Sequence, residues 1–232
     1  VVFNVVNEKY SASLSSLGGG SFVSYVLSEE GFNSFRYLGG YGLDGTYNDS
    51  INVDLLSFGK SECNPCLSFD GGLEKITAPF TVVSPSVFSG QTLSLFGEDS
   101  LVVVMKANTK HGLITKETVF YGNNYLINHR FFLEFPSNVD VVWDGGIKVT
   151  EKNISEELTY SQAFLAQDKT IESFSFTPSV VNESYDVSSY SGKTDWVGVR
   201  NKYFINSLIA SDASGGFLGG RTLALSSFLA PQ

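Results

Sequence analysis

The chain has 232 residues, 42% of them hydrophobic and 17% charged, enough apolar mass for a sizeable core and too much for a disordered chain. Its 24 Asp and Glu against 15 Lys and Arg give a formal charge of -9, so nucleic-acid backbones and anionic lipid heads are on average repelled. No apolar run approaches the ~20 residues that cross a bilayer, Leu101 to Met105 being the longest, and Val1 opens directly into a strand-like segment rather than a leader.

Val2 to Glu8, then Tyr10, Ala12, Leu14 and Leu17, alternate with polar residues, which predicts strands with one buried face. Gly18, Gly19 and Gly20 free the backbone to turn before a second apolar run, Phe22 to Leu27. Residues 28 to 75 are the least regular and contain a literal G-x-G-x-x-G at Gly40, Gly42 and Gly45. That motif cradles a pyrophosphate only between a buried strand and a helix. Here Asp44-Gly45 predicts a hairpin turn, and TYNDSINVDLL has no helical period. Cys63 and Cys66, in the spacing C-N-P-C, have no second pair to complete a zinc site. Nor do they sit in the βαβ setting of a redox pair. They are expected to be a plain loop pair, free or joined as a small disulfide.

From Ala78 the strand signal strengthens through ITAPFTVVSP, QTLSLFG, SLVVVMKA, LITKETVFY and, after an Asn123-Asn124 turn, YLINHRFFLEF. Asn153 to Gln167 is a candidate helix, Asp168-Lys169 a turn and IESFSFTPS a strand. Asn182 to Thr194 reads as a polar connection into Ser191 to Ile209. The apolar positions of that segment fit either a helix capped by Asp195 or two buried strand pieces. Gly215, Gly216, Gly219 and Gly220 then separate a last strand beginning at Leu223, Leu225 and Phe228. Short strands punctuated by turns every ~8 to 12 residues indicate an antiparallel sandwich.

The phrase TDWVGVRNKYFINSLI resembles the signature of the large extracytoplasmic domain of the YidC family of bacterial membrane protein insertases, particularly its Bacteroidetes-like members. NEKYSASLSSLGG followed by SYVL is similar to that domain's opening strands. Lys116, Phe120, Tyr125 and Phe132 fall on its central hairpin pattern. Trp143, Gly146, Glu151, Lys152 and Asn153 match its tryptophan-glycine and Thr-Glu-Lys-Asn elements. The resemblance implies an all-β fold: a large antiparallel β-supersandwich, galactose-mutarotase-like, with few short helices. It further implies one domain over 1–232 in the periplasm, tethered to the inner membrane by segments outside this sequence, with the domain's last strands also missing. Nascent membrane proteins are the implied clients of the full protein, and the Sec translocon with SecDF the implied partners. No catalytic residue, metal or cofactor is implied. Trp143, Glu151, Asp195, Trp196, Arg200, Tyr203 and Phe204 are the signature positions, for structure or for partner contact.

The competing reading is a carbohydrate-binding or aldose-epimerase-like sandwich, whose chemistry needs a proton donor and acceptor on opposite sides of a sugar ring. His111 and His129, with Glu134 or Glu151, are the only ingredients available for it. Asp195 and Arg200 are near enough in sequence for a local ion pair, and Arg200 could instead stack on an aromatic face.

Overall fold

Alternating apolar and polar residues become strands through most of the chain. The computed structural model describes residues 1–29, 35–42, 44–56, 63–69, 71–136, 138–175 and 182–222. In order these form β1 (Val2–Val6), β2 (Tyr10–Ser15), β3 (Phe22–Glu29), β4 (Phe35–Arg36), β5 (Leu38–Tyr41), β6 (Tyr47–Asn52) and β7 (Cys66–Phe69). Then come β8 (Glu74–Lys75), β9 (Thr81–Ser84), β10 (Thr92–Ser94), β11 (Ser100–Thr109), β12 (Gly112–Tyr121), β13 (Asn128–Leu133) and β14 (Asp140–Val142). A short helix, α1 (Ile154–Leu158), precedes β15 (Gln162–Gln167), β16 (Thr170–Ser175), β17 (Asn182–Ser191), β18 (Trp196–Arg200), β19 (Ile205–Ile209) and β20 (Gly215–Thr222). The all-β expectation therefore holds. Two compact units result, one from Val1–Tyr37 and Lys60–Asp144, the other from Leu38–Gly59 and Gly145–Gln232.

In the first unit one sheet runs β10-β1-β2-β3-β4, with β1 parallel to β10, and another runs β13-β12-β11-β9. The period-two pattern buries Phe3, Val5, Tyr10 and Leu14 from the first sheet and Val103, Met105, Ile114 and Phe120 from the second. Phe22 meets Phe120 edge-on at 6.1 Å, joining the two layers. Asn7 ties their ends. Its Nδ2 donates to the Tyr121 and Asn124 carbonyls at 2.6 and 3.0 Å, while its Oδ1 accepts from the Lys9 and Tyr10 amides at 2.8 Å each. The glycine turn before β3 is sterically required. Gly19 (φ +73°) and Gly20 (φ +70°) adopt a backbone that L side chains avoid, and a Cβ on Gly19 would stand 2.7 Å from the Ile76 carbonyl oxygen.

A small sheet β14-β7-β8 carries the cysteine pair, and Cys63 and Cys66 are joined as a disulfide, fully buried. The loop is so short that its entropic contribution is only about 2 kcal/mol. Burial makes it inaccessible all the same. Dithiothreitol followed by iodoacetamide is expected to leave both sulfurs unlabelled in buffer and to label both in denaturant, read by mass spectrometry. Labelling in buffer would show that this region opens on its own.

In the second unit β5 and β6 form the hairpin that Asp44-Gly45 predicts, and the G-x-G-x-x-G lies in it rather than at a helix start. The main sheet is antiparallel, β16-β15-β18-β19. Its inner face packs Ala163, Leu165, Val197 and Val199 with Leu218 of β20 and Tyr190 of β17. Two expectations are corrected here, and one open choice is settled. The candidate helix over Asn153 to Gln167 is helical only at Ile154–Leu158, because Ala163 and Leu165 alternate into the core as β15. The connection over Asn182 to Thr194 is largely strand, β17, and the glycine spacer is its partner β20, paired from Ser191↔Gly215 to Asn182↔Thr222. Ser191 to Ile209 resolves as two strands, with Asp195 capping no helix. The strand expected from Leu223, Leu225 and Phe228 lies outside the described residues.

Candidate functional site

Asp195, Trp196, Arg200, Tyr203 and Phe204 all belong to the β18–β19 hairpin, and Asn201 builds its turn. The Asn201 Oδ1 accepts from the Tyr203 and Phe204 amides at 3.0 and 2.8 Å, closing a side-chain-capped turn that asparagine supports well. Its Nδ2 donates to Glu157 Oε1 at 2.7 Å. Glu157 is buried and accepts three further bonds: from the Thr150 hydroxyl at 2.7 Å and from the Thr150 and Glu151 amides at 2.8 Å each. A carboxylate taken out of water needs such charge-assisted donors. Glu157 thus joins the Thr-Glu-Lys-Asn element to the Arg-Asn-Lys-Tyr-Phe element. Asn153 caps α1 by accepting from the Glu156 amide at 3.3 Å, and Glu156 in turn holds Lys202 at 2.8 Å.

The sequence pointed to Glu151, but Glu151 offers the junction only its backbone amide, and the carboxylate that matters is Glu157. Its only advance signal was position, an acid one turn after a helix-capping asparagine. Asp195 and Arg200 do not pair. They flank opposite ends of β18, roughly 16 Å apart along a strand of that length. Asp195 Oδ2 instead accepts from the Asp168 amide at 3.0 Å, and the Arg200 guanidinium lies 5.5 Å over the Phe164 ring. Trp196 is half-buried and shares the outer face of the sheet with Arg200, in the rows Ala166–Trp196–Ile209 and Gln162–Arg200–Ile205. Trp143 belongs to the first unit, half-buried, its indole Nε1 shielded and without a hydrogen bond among the described residues.

The first unit has a polar centre that the sequence reading did not single out as a site. Lys116 points inward from β12, fully buried, and donates to the Gly20 and Pro65 carbonyls at 2.7 and 2.8 Å, with the Phe131 ring 5.3 Å away. Burial pushes its pKa down to about 7. Lys116 thereby fastens the glycine turn and the disulfide loop to β12.

The two histidines are placed apart. His111, in the β11–β12 turn, meets the Phe69 ring at 4.4 Å, tilted by 51°, and stands 3.6 Å from Glu74. His129 pairs with Thr118, six residues along β12 from the Gly112 end, or about 20 Å. It packs edge-on against Phe22 and bonds the Thr118 hydroxyl at 3.1 Å, and burial, then the charge of Lys116, hold its pKa well below the usual value. An open depression of about 400 Å³ in the second unit is lined by Thr46, Tyr47, Asn48, Asp49 and Lys152, with no histidine.

The family profile described as the YidC periplasmic domain matches residues 68–222, which include both polar junctions' principal residues, Lys116 and Glu157. The chain belongs to the YidC periplasmic-domain family. Membrane protein insertase YidC of Chloroherpeton thalassium is 31% identical over 129 residues, covering 52% of this chain and 21% of that protein. Its counterpart in Chlorobium luteolum is 38% identical over 81 residues, covering 33% and 13%, and that of Chlorobium phaeovibrioides 30% over 128, covering 52% and 22%. The match thus spans about a fifth or less of each of these YidC relatives. No solved structure matches the chain. Within the YidC family match, TDWVGVRNKYF is the hairpin that Asn201 turns and Glu157 anchors.

Proposed function

We propose that this chain is a noncatalytic, extracytoplasmic scaffold domain of a YidC-type insertase, serving membrane protein insertion and folding through protein contacts. Its place is the periplasmic side of the inner membrane, its clients nascent membrane proteins, and its partners the Sec translocon with SecDF. The observation that carries this reading is the family match over residues 68–222. The chemistry of the signature agrees with a scaffold. The oxygens of Glu157 are occupied by four donors, Lys116 is sealed in the core, and His111 and His129 do not converge on one pocket.

Two measurements on the purified 232-residue chain test it. Immobilised chain is expected to retain detergent-solubilised SecDF, and its absence from the bound fraction removes that partner. Galactose mutarotation followed by polarimetry is expected to keep its uncatalysed rate. An accelerated rate would replace the scaffold reading with the aldose-epimerase-like one.

A further inference from the structure

β19 is an edge strand of its sheet, and the ladder fixes where its backbone groups point. The Asn201 amide donates to the Phe204 carbonyl and the Ala210 amide to the Asp195 carbonyl, both at 3.0 Å, so Asn201–Phe204 and Asp195–Ala210 are hydrogen-bonded pairs. In an antiparallel ladder such pairs alternate with pairs whose amides and carbonyls face away. Val199–Asn206 and Val197–Leu208 are therefore bonded, while Ile205, Ser207 and Ile209 direct their N–H and C=O groups off the sheet. Among the described residues no backbone group outside the sheet bonds to these three, and all three are exposed, Ile205 by 54% and Ile209 by 73%.

A free strand edge is a template for another strand, and proteins blunt such edges by brevity, charge, proline or irregular register. The other edges among the described residues are blunted in these ways. β4, β8, β10 and β14 have two or three residues, β13 carries Arg130, β16 carries Glu172, and β9 shifts register and is followed by Pro85. The two-stranded sheets β5-β6 and β17-β20 both shift register. β19 uses none of these devices: Ile-Asn-Ser-Leu-Ile is uncharged, has no proline and follows β18 without a shift. Its order also selects the strand that fits it, being a near-palindrome about Ser207. A two-fold axis at Ser207 sets Ile205 of each copy beside Ile209 of the other on the exposed face, and Ser207 beside Ser207. All three outward-facing residues then exchange both their backbone bonds. The charge of -9 on each copy opposes this contact only over a Debye length of ~8 to 10 Å, and the strand itself holds no carboxylate.

We propose that two copies of this chain pair antiparallel through β19, with the two-fold axis at Ser207, joining their four-stranded sheets into one. Five residues make a small interface, so the dimer is a weak one, populated at high concentration.

Sedimentation velocity of the 232-residue chain over about a hundredfold range of concentration is expected to show monomer passing into dimer. S207P removes the central outward-facing amide at a place where an edge strand tolerates proline, and is expected to keep its thermal melt and remain monomeric. I209K, at an exposed position, is expected to weaken the dimer about tenfold, and it serves as the test should S207P not fold. The native cysteines are buried as a disulfide, so S207C carries the one reactive thiol. A short bismaleimide is expected to link S207C into a dimer and to link I171C, on the opposite edge strand β16, far more slowly. Hydrogen exchange at the Ser207 amide is expected to be fast in the dilute chain and slow in the dimer. A monomer at every concentration, a dimer that S207P and I209K leave intact, or equal linking of S207C and I171C overturns the proposal. So does a Ser207 amide protected in the dilute monomer, since the edge would then be closed within its own chain. Retention of SecDF that S207P abolishes, by a chain that never dimerises, overturns it as well and gives the edge to a different partner. Self-association is read without SecDF or a client, so its failure leaves the scaffold reading where it stood.

Discussion

Raising the pH from 7 to 10 is expected to stabilise the first unit, and replacing Lys116 with methionine to abolish the rise. In the fold the Lys116 pKa is down at about 7 from an ordinary 10.5, because burial strips the ammonium of water. Between those two values the unfolded chain holds a proton that the folded chain does not, so unfolding free energy climbs with pH across that window. The penalty is present in full below pH 7 and relieved as pH approaches 10.5. Three and a half units correspond to a ceiling of about 5 kcal/mol, and the two carbonyls and the Phe131 ring, which favour the charged form, reduce it. His129 adds a second slope of the same sign, stability falling as pH drops through 6.5 towards its depressed folded value. Above pH 10 the buried Tyr10 and Tyr25 phenols, both raised, reverse the trend, since only the unfolded chain ionises them readily. Urea titrations at pH 7, 8.5 and 10 measure the effect. Equal slopes for wild type and K116M would mean that the lysine is charged and satisfied in the fold throughout. K116A should lose about 2 to 4 kcal/mol relative to K116M at every pH, from the cavity that the shorter side chain leaves.

Glu157→Ala is expected to cost the second unit about 3 to 5 kcal/mol, the range for removing one partner of a buried charged network. The loss comes from what remains. The Thr150 hydroxyl, the Thr150 and Glu151 amides and the Asn201 amide keep their burial and lose their acceptor. Glu157→Gln tests whether charge or shape matters, because an amide nitrogen in place of one oxygen confronts donors with a donor, and a cost of about 2 kcal/mol is expected. Asn201→Ala should cost a comparable amount by opening the β18–β19 turn. In a double-mutant cycle the two losses should fall short of additive by about 1 kcal/mol or more, since both delete the same bond. Denaturant melts give the free energies, and hydrogen exchange at the Thr150 and Glu151 amides locates them. Unchanged protection there in Glu157→Ala would refute the junction.

Strands with one wet face were legible because their apolar period is a local property: Phe3, Val5, Tyr10, Ala12 and Leu14 announce β1 and β2 without reference to anything distant. What stayed hidden has few apolar residues to mark it, Tyr190 and Leu218 apart. β17 is rich in serine and β20 in glycine, and their ladder needs no apolar period to form. The short α1 was overread for a related reason, as Ile154 to Leu158 carries a capping asparagine and acids, while the residues after it alternate. The site was legible as a family phrase and not as chemistry. Trp196 and Arg200 were named, whereas Glu157 and Asn201, which hold that phrase in place, are ordinary polar residues until tertiary structure removes their water. Lys116 is the same lesson in a strand, a lysine at a position whose neighbours Ile114 and Thr118 both face inward.

The second unit is assembled from two pieces of chain, Leu38–Gly59 and Gly145–Gln232, with most of the first unit lying between them in sequence. A polypeptide delivered N-terminus first must therefore leave the β5–β6 hairpin waiting while the intervening span emerges, and only then can the stretch around Thr150 and Lys152, which Gly39 and Tyr41 meet, receive it. The first unit has its own delay, because Asn7 finds its acceptors at Tyr121 and Asn124. Closing loops of that length early is entropically slow, so biogenesis of this protein should be sensitive to the pace at which its chain is handed over, and to whatever shields its early hairpins in the interval.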